Sequence, residues 1–424
     1  MKEVTECSPI CLCLNRYKRT ARYIKQQQAE HFLYGIFIMA MAYVFSQFSR
    51  AFLAVLKPVL TTELGMGSVE LAYASGAWFI AFALFQFPVG ILLDSIGPRR
   101  TAGYIFTLFA GGGMFLFAYS TSPEMIIVAT ALIGIGCSPA LMAPFYIFVR
   151  NYDAAKLATL TSVFIAVGTL GNIASSEPLA AAIELWGWRE TAMATGFVVL
   201  LIGMGIYIFV KDPERIEKNP GEEGGYTTLF RIRELWPIFP IILGGYMVAA
   251  GLRGSWIGPF HEDLFNYDTL EIGRATLYMS IAIALGTLFF GPLDRIFNTR
   301  KWIVMAGSLI VLITCILMAI FIPADPFWSL VAFVLIGFFG ASYAVQMAHG
   351  KSFIPVHLTG RGVTLLNFCS IGGAGIFQWL SGPVVEAYAV TNNPKLEYQA
   401  LFVFYAILVA LAMFAYSFAK DAKP

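Results

Sequence analysis

The chain has 424 residues, of which 58% are apolar, 15% aromatic and only 13% charged, about half the charged share of a soluble domain. That composition excludes a water-soluble globule. Twelve membrane crossings at about 35 residues each, connections included, use nearly the whole length and leave no room for a separate catalytic or nucleic-acid-binding domain. The formal net charge of +2 says little about partners, because in a membrane protein the placement of the 28 Lys and Arg residues matters more than their sum.

In chain order, Met1 to Gln28 is polar and basic and has no continuous apolar core, so no cleavable signal is expected and the N-terminus is expected to stay cytoplasmic. Cys7, Cys11 and Cys13 lie in this tail and Cys137, Cys315 and Cys369 in apolar segments, which gives no extracellular disulfide framework. The tail cluster lacks a His or fourth thiol at ligand spacing, so incidental reduced thiols are preferred over a metal site or acylation. Apolar runs long enough to span follow near 33–57, 70–93, 101–120, 125–148, 158–183 and 191–210. Six more lie near 236–260, 275–293, 302–322, 327–348, 362–388 and 400–419. Between the sets, Lys211 to Leu235 contains Lys-Asp-Pro-Glu-Arg and the turn-rich Pro220-Gly-Glu-Glu-Gly-Gly225 and reads as a cytoplasmic linker. The expected organisation is a tail 1–32, a six-helix bundle 33–210, a linker 211–235, a second bundle 236–419 and a tail 420–424.

With the N-terminus inside, all but six of the 28 Lys and Arg residues fall in cytoplasmic segments. Arg189, Arg274 and Lys395 fall outside, and Arg50, Lys57 and Arg253 lie within spans. The inverted orientation would violate the positive-inside bias in almost every loop. The chain also matches itself at a shift of about 200 residues. Tyr43 and Arg50 map onto Tyr246 and Arg253, and Tyr73-x-Ser75 maps onto Tyr278-x-Ser280. Gly90 to Asp94 maps onto Gly291 to Asp294, and Lys156, Thr159 and Leu160 map onto Arg361, Thr364 and Leu365. Four matches in order predict two pseudo-symmetric six-helix bundles in an all-α membrane protein, with a substrate site at their interface near mid-membrane.

The loop after the second span reads Gly90-Ile-Leu-Leu-Asp94-Ser-Ile-Gly97-Pro-Arg99-Arg100, and its counterpart reads Gly291-Pro-Leu-Asp294-Arg295-Ile-Phe-Asn-Thr-Arg300-Lys301. This pair resembles the hallmark loop of the major facilitator superfamily. The second copy is shorter by one between Gly and Asp and lacks the following Gly. Glycine permits a tight turn, the carboxylate can accept backbone or Arg hydrogen bonds, and the basic residues can reach the facing bundle. The resemblance implies that Asp94, Arg99, Arg100, Asp294 and Arg300 form a cytoplasmic gate.

The two arginines inside spans are the most discriminating residues. An Arg at the centre of a lipid-facing helix costs about 2.5–3.5 kcal/mol on insertion scales, so Arg50 and Arg253 are expected to face the bundle interior, unless each snorkels or pairs with a Glu. One guanidinium from each half could converge on a site near the pseudo-two-fold axis, and two such forks call for an anion such as a phosphate or carboxylate. Tyr43, Gln47 and Arg50 are spaced i, i+4, i+7, and Tyr246 and Arg253 are spaced i, i+7, so each stripe lies on one helical face. Tyr43, Gln47 and Tyr246 are therefore candidate substrate contacts, with interhelical hydrogen bonding as the alternative.

Ser49-Arg50-Ala-Phe-Leu-Ala-Val-Leu-Lys-Pro58 also looks like the first helix of the organic-anion branches of that superfamily, the organophosphate:phosphate antiporters and the anion:cation symporters. Arg253-Gly-Ser-Trp-Ile-Gly-Pro259 is similar to the seventh helix of the antiporters. This resemblance implies that Arg50 and Arg253 are anion ligands and Tyr43 a lining residue. Ser49 stands where many symporters place an acidic residue, so proton coupling is not expected there. Glu177, His349 and Glu386 are the other titratable candidates; Glu177 is the best placed to carry a coupling proton, with a structural pairing to an arginine as its alternative, and His349 and Glu386 are expected to be interfacial. Gln346 and Asn367 are further possible cavity groups.

Gly111-Gly112-Gly113 and Gly372-Gly373-Ala-Gly375 suit close helix packing, since no Walker-type lysine follows either. No nucleophile elbow, His-Glu-x-x-His helix or cluster of metal ligands occurs, so neither an enzyme nor a cofactor is expected. The reading is a secondary transporter that moves a small anionic organic solute by alternating access, as symporter or antiporter and as a monomer, with a proton or counter-anion as coupling partner. The expected location is a bacterial inner membrane, multi-pass, with both termini cytoplasmic. A proton-driven exporter of amphipathic compounds, or a transport-inactive sensor or partner subunit on the same fold, is the alternative.

Overall fold

The computed structural model describes residues 33–151, 154–213, 226–355, 359–389 and 393–423. The cysteine-bearing tail, residues 214–225 of the expected linker and the side chain of Lys156 lie outside the described residues. Among the described residues the chain is helical and has no strand. In a bilayer every backbone N–H and C=O must find a partner within the protein, and a helix supplies these partners from its own residues.

Among the described residues, twelve helical elements form two sets of six. The first set is α1 (Leu33–Phe48 with Phe52–Leu64), α2 (Ser68–Ile96), α3 (Pro98–Ala118), α4 (Pro123–Asn151), α5 (Ala154–Ala174 with Glu177–Trp186) and α6 (Trp188–Phe209). The second is α7 (Arg233–Phe265), α8 (Thr269–Phe297), α9 (Lys301–Ile320), α10 (Pro326–Lys351), α11 (Thr359–Ala389) and α12 (Pro394–Ser417). Ten of these are long and apolar enough to span as single elements. The two parts of α1 span together across a 51° bend, which makes eleven among the described residues.

The first and fourth helices of each half are broken near their middles. In α1 the bonds from Arg50 N to Gln47 O (3.4 Å) and from Ala51 N to Phe48 O (3.2 Å) tighten the turn between the two segments. In α4 the break falls at Ser138, just before Pro139, whose ring nitrogen has no proton to donate. α7 carries a π turn at Leu252–Trp256, and α10 breaks at Ala341 and Ser342. By contrast α2 and α8 run unbroken for 29 residues each and α11 for 31. Irregular backbone at membrane depth is tolerated only where it is buried in protein or lines a watery cavity, and the breaks of α1 and α7 hold the buried Arg50 and Arg253; α3 carries a further π turn at Phe106–Gly111 and α5 a break at Ser175 and Ser176.

Buried apolar side chains form two clusters, one centred on each half, with a few residues such as Tyr246 and Ala54 joining the cluster of the opposite half. Close packing inside the first half depends on glycine. A Cβ on Gly136 of α4 would lie 2.1 Å from Ala110 N of α3, and one on Gly134 would lie 2.3 Å from Trp78 O of α2. Because both obstacles are backbone, no rotamer change relieves the clash. Gly136→Leu is expected to destabilise the bundle by at least about 1–3 kcal/mol, seen as a lower thermal midpoint and less monodisperse protein in detergent.

The halves are joined at the end that carries the α1–α2 and α7–α8 loops. Lys57 Nζ of α1 lies 3.0 Å from Glu262 Oε2 and 3.3 Å from Asp263 Oδ1 of α7. The Glu262 contact is an ion pair set off the hydrogen-bond axis, whereas Asp263 receives a hydrogen bond from the ammonium. Arg274 of α8 pairs with Glu177 of α5 at 3.1 Å. A Cβ on Gly258 would lie 2.1 Å from Ala54 O across the seam, and one on Gly273 would lie 2.7 Å from Ala180 Cβ. At the opposite end, Arg99 donates through its backbone N to Asp212 at 2.7 Å and through Nε to Tyr207 O at 2.5 Å, within the first half. Arg300 pairs with Asp294 at 3.1 Å and bonds Ser352, within the second half. The bundle is therefore sealed at its α1–α2 end, while the described bonds of Arg99 and Arg300 at the α2–α3 end leave the other half untouched.

Candidate functional site

Arg50 sits in the break of α1 and Arg253 in the π turn of α7, so each half offers its guanidinium at a backbone irregularity. Arg50 is 8% exposed and Arg253 2%, and both face protein and not lipid. The Arg50 guanidinium carbon lies 5.3 Å from the Trp78 ring centroid and 5.2 Å from that of Phe82, both on α2. Ring faces offset part of the cost of burying a cation and leave its N–H edges free. Among the described residues neither arginine lies within ion-pair distance of a carboxylate. Nε of each is buried without a hydrogen-bond partner. Two buried, unneutralised guanidiniums repel in a medium of low dielectric, which is the electrostatic condition under which an anion binds well.

Tyrosines and amides complete the surroundings. Gln47 donates to Tyr43 OH at 3.3 Å, and its own amide oxygen is buried without a partner. Tyr43 stacks on Phe164 at 5.5 Å and lies against Gly168 of α5, where a Cβ would come within 2.2 Å of its ring. In the second half Tyr246 packs on Tyr343 at 4.9 Å. The two arginine-bearing turns meet, since a Cβ on Gly254, the residue after Arg253, would lie 2.8 Å from Arg50 O. Gln346, 2% exposed, lies over Gly245 with its amide nitrogen unpartnered. Asn367 donates to Gln86 of α2 at 3.3 Å across the seam.

The structure thus brings together Arg50, Arg253, Tyr43, Gln47 and Tyr246. Glu177 is not brought to them. α5 breaks at Ser175 and Ser176 and restarts at Glu177, which puts this carboxylate in the first turn of a new helix, partly exposed and paired with Arg274. His349 is also removed from the cluster, its Nδ1 2.6 Å from Tyr416 OH and its Nε2 3.0 Å from Lys420 O, and Glu386 is exposed. Asp94, Arg99, Arg100, Asp294 and Arg300 lie at the α2–α3 end, away from the cluster, and of these Arg99, Asp294 and Arg300 have the pairings already described.

Sequence reasoning missed Tyr343, Trp78, Phe82 and Gln378. Tyr343 has no repeat partner, because the offset of 205 that relates Ser75 to Ser280 places Ser138 opposite it. Trp78 and Phe82 follow Ser75 by one and two turns on α2 and look in sequence like ordinary membrane-facing aromatics.

A family model described as the Major Facilitator Superfamily matches residues 39–378. Among curated proteins the chain is similar to a "Probable L-galactonate transporter" of Escherichia coli (strain K12), 24% identical over 297 residues, covering 64% of this chain and 62% of that protein. It is 21% identical over 290 residues to a "Probable sulfoacetate transporter SauU" of Cupriavidus necator, covering 64% and 66%. These two matches span just under two thirds of each relative. A "Sialic acid transporter NanX" of Escherichia coli (strain K12) is 22% identical over 370 residues, covering 84% of this chain and 86% of the relative. Among solved structures, an inward-facing, unoccupied bacterial homolog of the human lysosomal transporter Spinster aligns with a TM-score of 0.73 at 17% identity, over 91% of this chain and 97% of that one.

Proposed function

The chain belongs to the Major Facilitator Superfamily, and on that premise we propose that it is a secondary transporter in which Arg50 and Arg253 hold a small organic anion between two rocking six-helix halves. The observation that carries this reading is the burial of one unneutralised guanidinium from each half, within a cluster of tyrosines and half-satisfied amides. Guanidiniums select carboxylate, sulfonate or phosphate. The tyrosine hydroxyls of Tyr43, Tyr246 and Tyr343 and the spare amide atoms of Gln47 and Gln346 suit hydroxyl groups on the same solute. Relatives named for galactonate, hexuronate, sulfoacetate and sialic acid support an anionic cargo, and several of these carry hydroxyls.

Arg50 and Arg253 repel until an anion screens them, so occupancy favours closure of the halves around the site. With the positive-inside orientation, the α1–α2 end, where Lys57 and Arg274 tie the halves together, faces outward. Asp94, Arg99, Arg100, Asp294 and Arg300, now bonded within their own halves where their contacts are described, form the cytoplasmic gate once that end closes. The protein then resides in an inner membrane with both termini cytoplasmic.

Thermal-shift measurements on purified protein test the reading directly. Galactonate, galacturonate, sulfoacetate and sialic acid are compared with their neutral sugar or alcohol counterparts. At least one anion is expected to raise the midpoint of the wild type and to raise that of Arg253→Lys much less. Equal stabilisation of both proteins, or none by any anion, overturns the assignment.

A further inference from the structure

One amide behind the arginines touches both halves. Gln378 of α11 is 1% exposed, and its Nε2 donates to Ser75 Oγ of α2 at 2.7 Å and also to Ser255 Oγ of α7. Either orientation of the amide keeps the tie, because a hydroxyl can donate or accept. Its remaining atom, Oε1, is buried without a partner. A half-satisfied amide in the membrane interior is unfavourable for stability, so packing alone does not account for glutamine at this position.

The two serines lead to the two arginines. Ser255 lies two residues after Arg253 in the π turn Leu252–Trp256. The next residue, Trp256, donates its indole N–H at 2.9 Å to Ser381, which in turn donates to the backbone carbonyl of Gln378 at 2.6 Å. α11 therefore grips the π turn at two successive residues. A π turn departs from the regular helical ladder, so the direction of a side chain within it depends on how the turn is seated. On the other side Ser75 precedes Trp78 by one turn of α2, and Trp78 with Phe82 supports Arg50. The backbones of the two arginine-bearing helices meet beside the same amide. A Cβ on Gly254 would lie 2.8 Å from Arg50 O, 3.3 Å from Gln378 Nε2 and 3.4 Å from Ser75 Oγ.

We propose that Gln378 is a positioning residue that sets Arg50 and Arg253 relative to one another, tying the grip on the anion to the seam between the halves. The proposal rests on the reading of the two arginines as anion ligands. A group that acts through Arg253 has a signature that a merely structural one lacks: its effect vanishes once Arg253 can no longer make its contact.

The test is a double-mutant cycle on full-length purified protein. It uses calorimetric titration with whichever of galactonate, galacturonate, sulfoacetate and sialic acid stabilises the wild type most. Gln378→Leu is expected to weaken binding about tenfold, and Ser255→Ala to weaken it in the same direction. In the Arg253→Lys background, Gln378→Leu is expected to add less than about twofold. If Gln378→Leu does not fold, Ser255→Ala and Ser75→Ala, which remove one oxygen each, take its place in the cycle. Affinity kept within about twofold in Gln378→Leu while Arg253→Lys loses it overturns the positioning role and leaves the anion site standing. Equal losses in both backgrounds also overturn it. Loss of anion response in neither Arg253→Lys nor Gln378→Leu, or no response in the wild type, overturns the anion site and this proposal with it.

Discussion

Arg50→Lys is expected to lower uptake of the cognate anion into proteoliposomes about a hundredfold, and Arg50→Ala to abolish it, with membrane insertion unchanged in both. The lysine variant isolates geometry from charge. An ammonium keeps the positive charge but loses the planar fork that grips a carboxylate or sulfonate through two parallel bonds. It also loses the flat face that lies over Trp78 and Phe82 at 5.3 and 5.2 Å. A hydrogen bond to a charged group contributes about 1.5–3 kcal/mol, so loss of one or two such bonds corresponds to roughly ten- to more than hundredfold in affinity. Arg253→Lys is expected to behave alike, since Arg253 is the more deeply buried of the two. Insertion is checked by expression and elution profile, because removing a buried cation that has no carboxylate partner relieves desolvation and does not orphan an acid. Wild-type uptake by both Arg50 variants would refute the role of this residue.

The second large effect concerns the sealed end. Gly258→Val is expected to trap the transporter with its α1–α2 end open, binding the anion but failing to turn over. A Cβ at position 258 would sit 2.1 Å from the backbone oxygen of Ala54 in the opposite half, and the carbonyl cannot move without moving α1. Overpacking of this kind costs about 1–3 kcal/mol or more, and each 1.4 kcal/mol is about tenfold in a two-state equilibrium. The open state carries no such clash, so the whole cost biases the population. Spin-label distances between the two α1–α2-end loops are expected to lengthen, anion affinity to stay within about threefold and uptake to fall more than tenfold. Unchanged distances would show that the seam tolerates the side chain and that the seal is formed elsewhere.

Arg50 and Arg253 stood out in the bare sequence because a charge in an apolar run carries an energetic cost that only a partner, a cavity or a ligand can offset. The stripes Tyr43, Gln47, Arg50 and Tyr246, Arg253 were visible because helical spacing alone puts them on one face. Glu177 shows where such reasoning stops. Its place in an apolar run allowed both a coupling proton and a structural pairing with an arginine; the break of α5 at Ser175 and Ser176 turns the carboxylate to Arg274 on the opposite half, the second of these. Tyr343 and Gln378 were invisible for a related reason, since what matters about each is a neighbour far away in the chain, 303 residues away in the case of Gln378 and Ser75.

Hydropathy, loop charge and the internal duplication were enough to establish a duplicated twelve-helix membrane protein with one arginine per half, because these are properties of local stretches and their spacing. Where the helices break, where ion pairs tie the halves together, and that among the described residues the two guanidiniums lack a carboxylate while Lys57 has two within reach all came from packing. Those outcomes depend on which faces of distant helices meet. In a membrane interior of uniformly apolar residues, small differences in glycine placement and side-chain fit choose among many pairings of similar hydropathy.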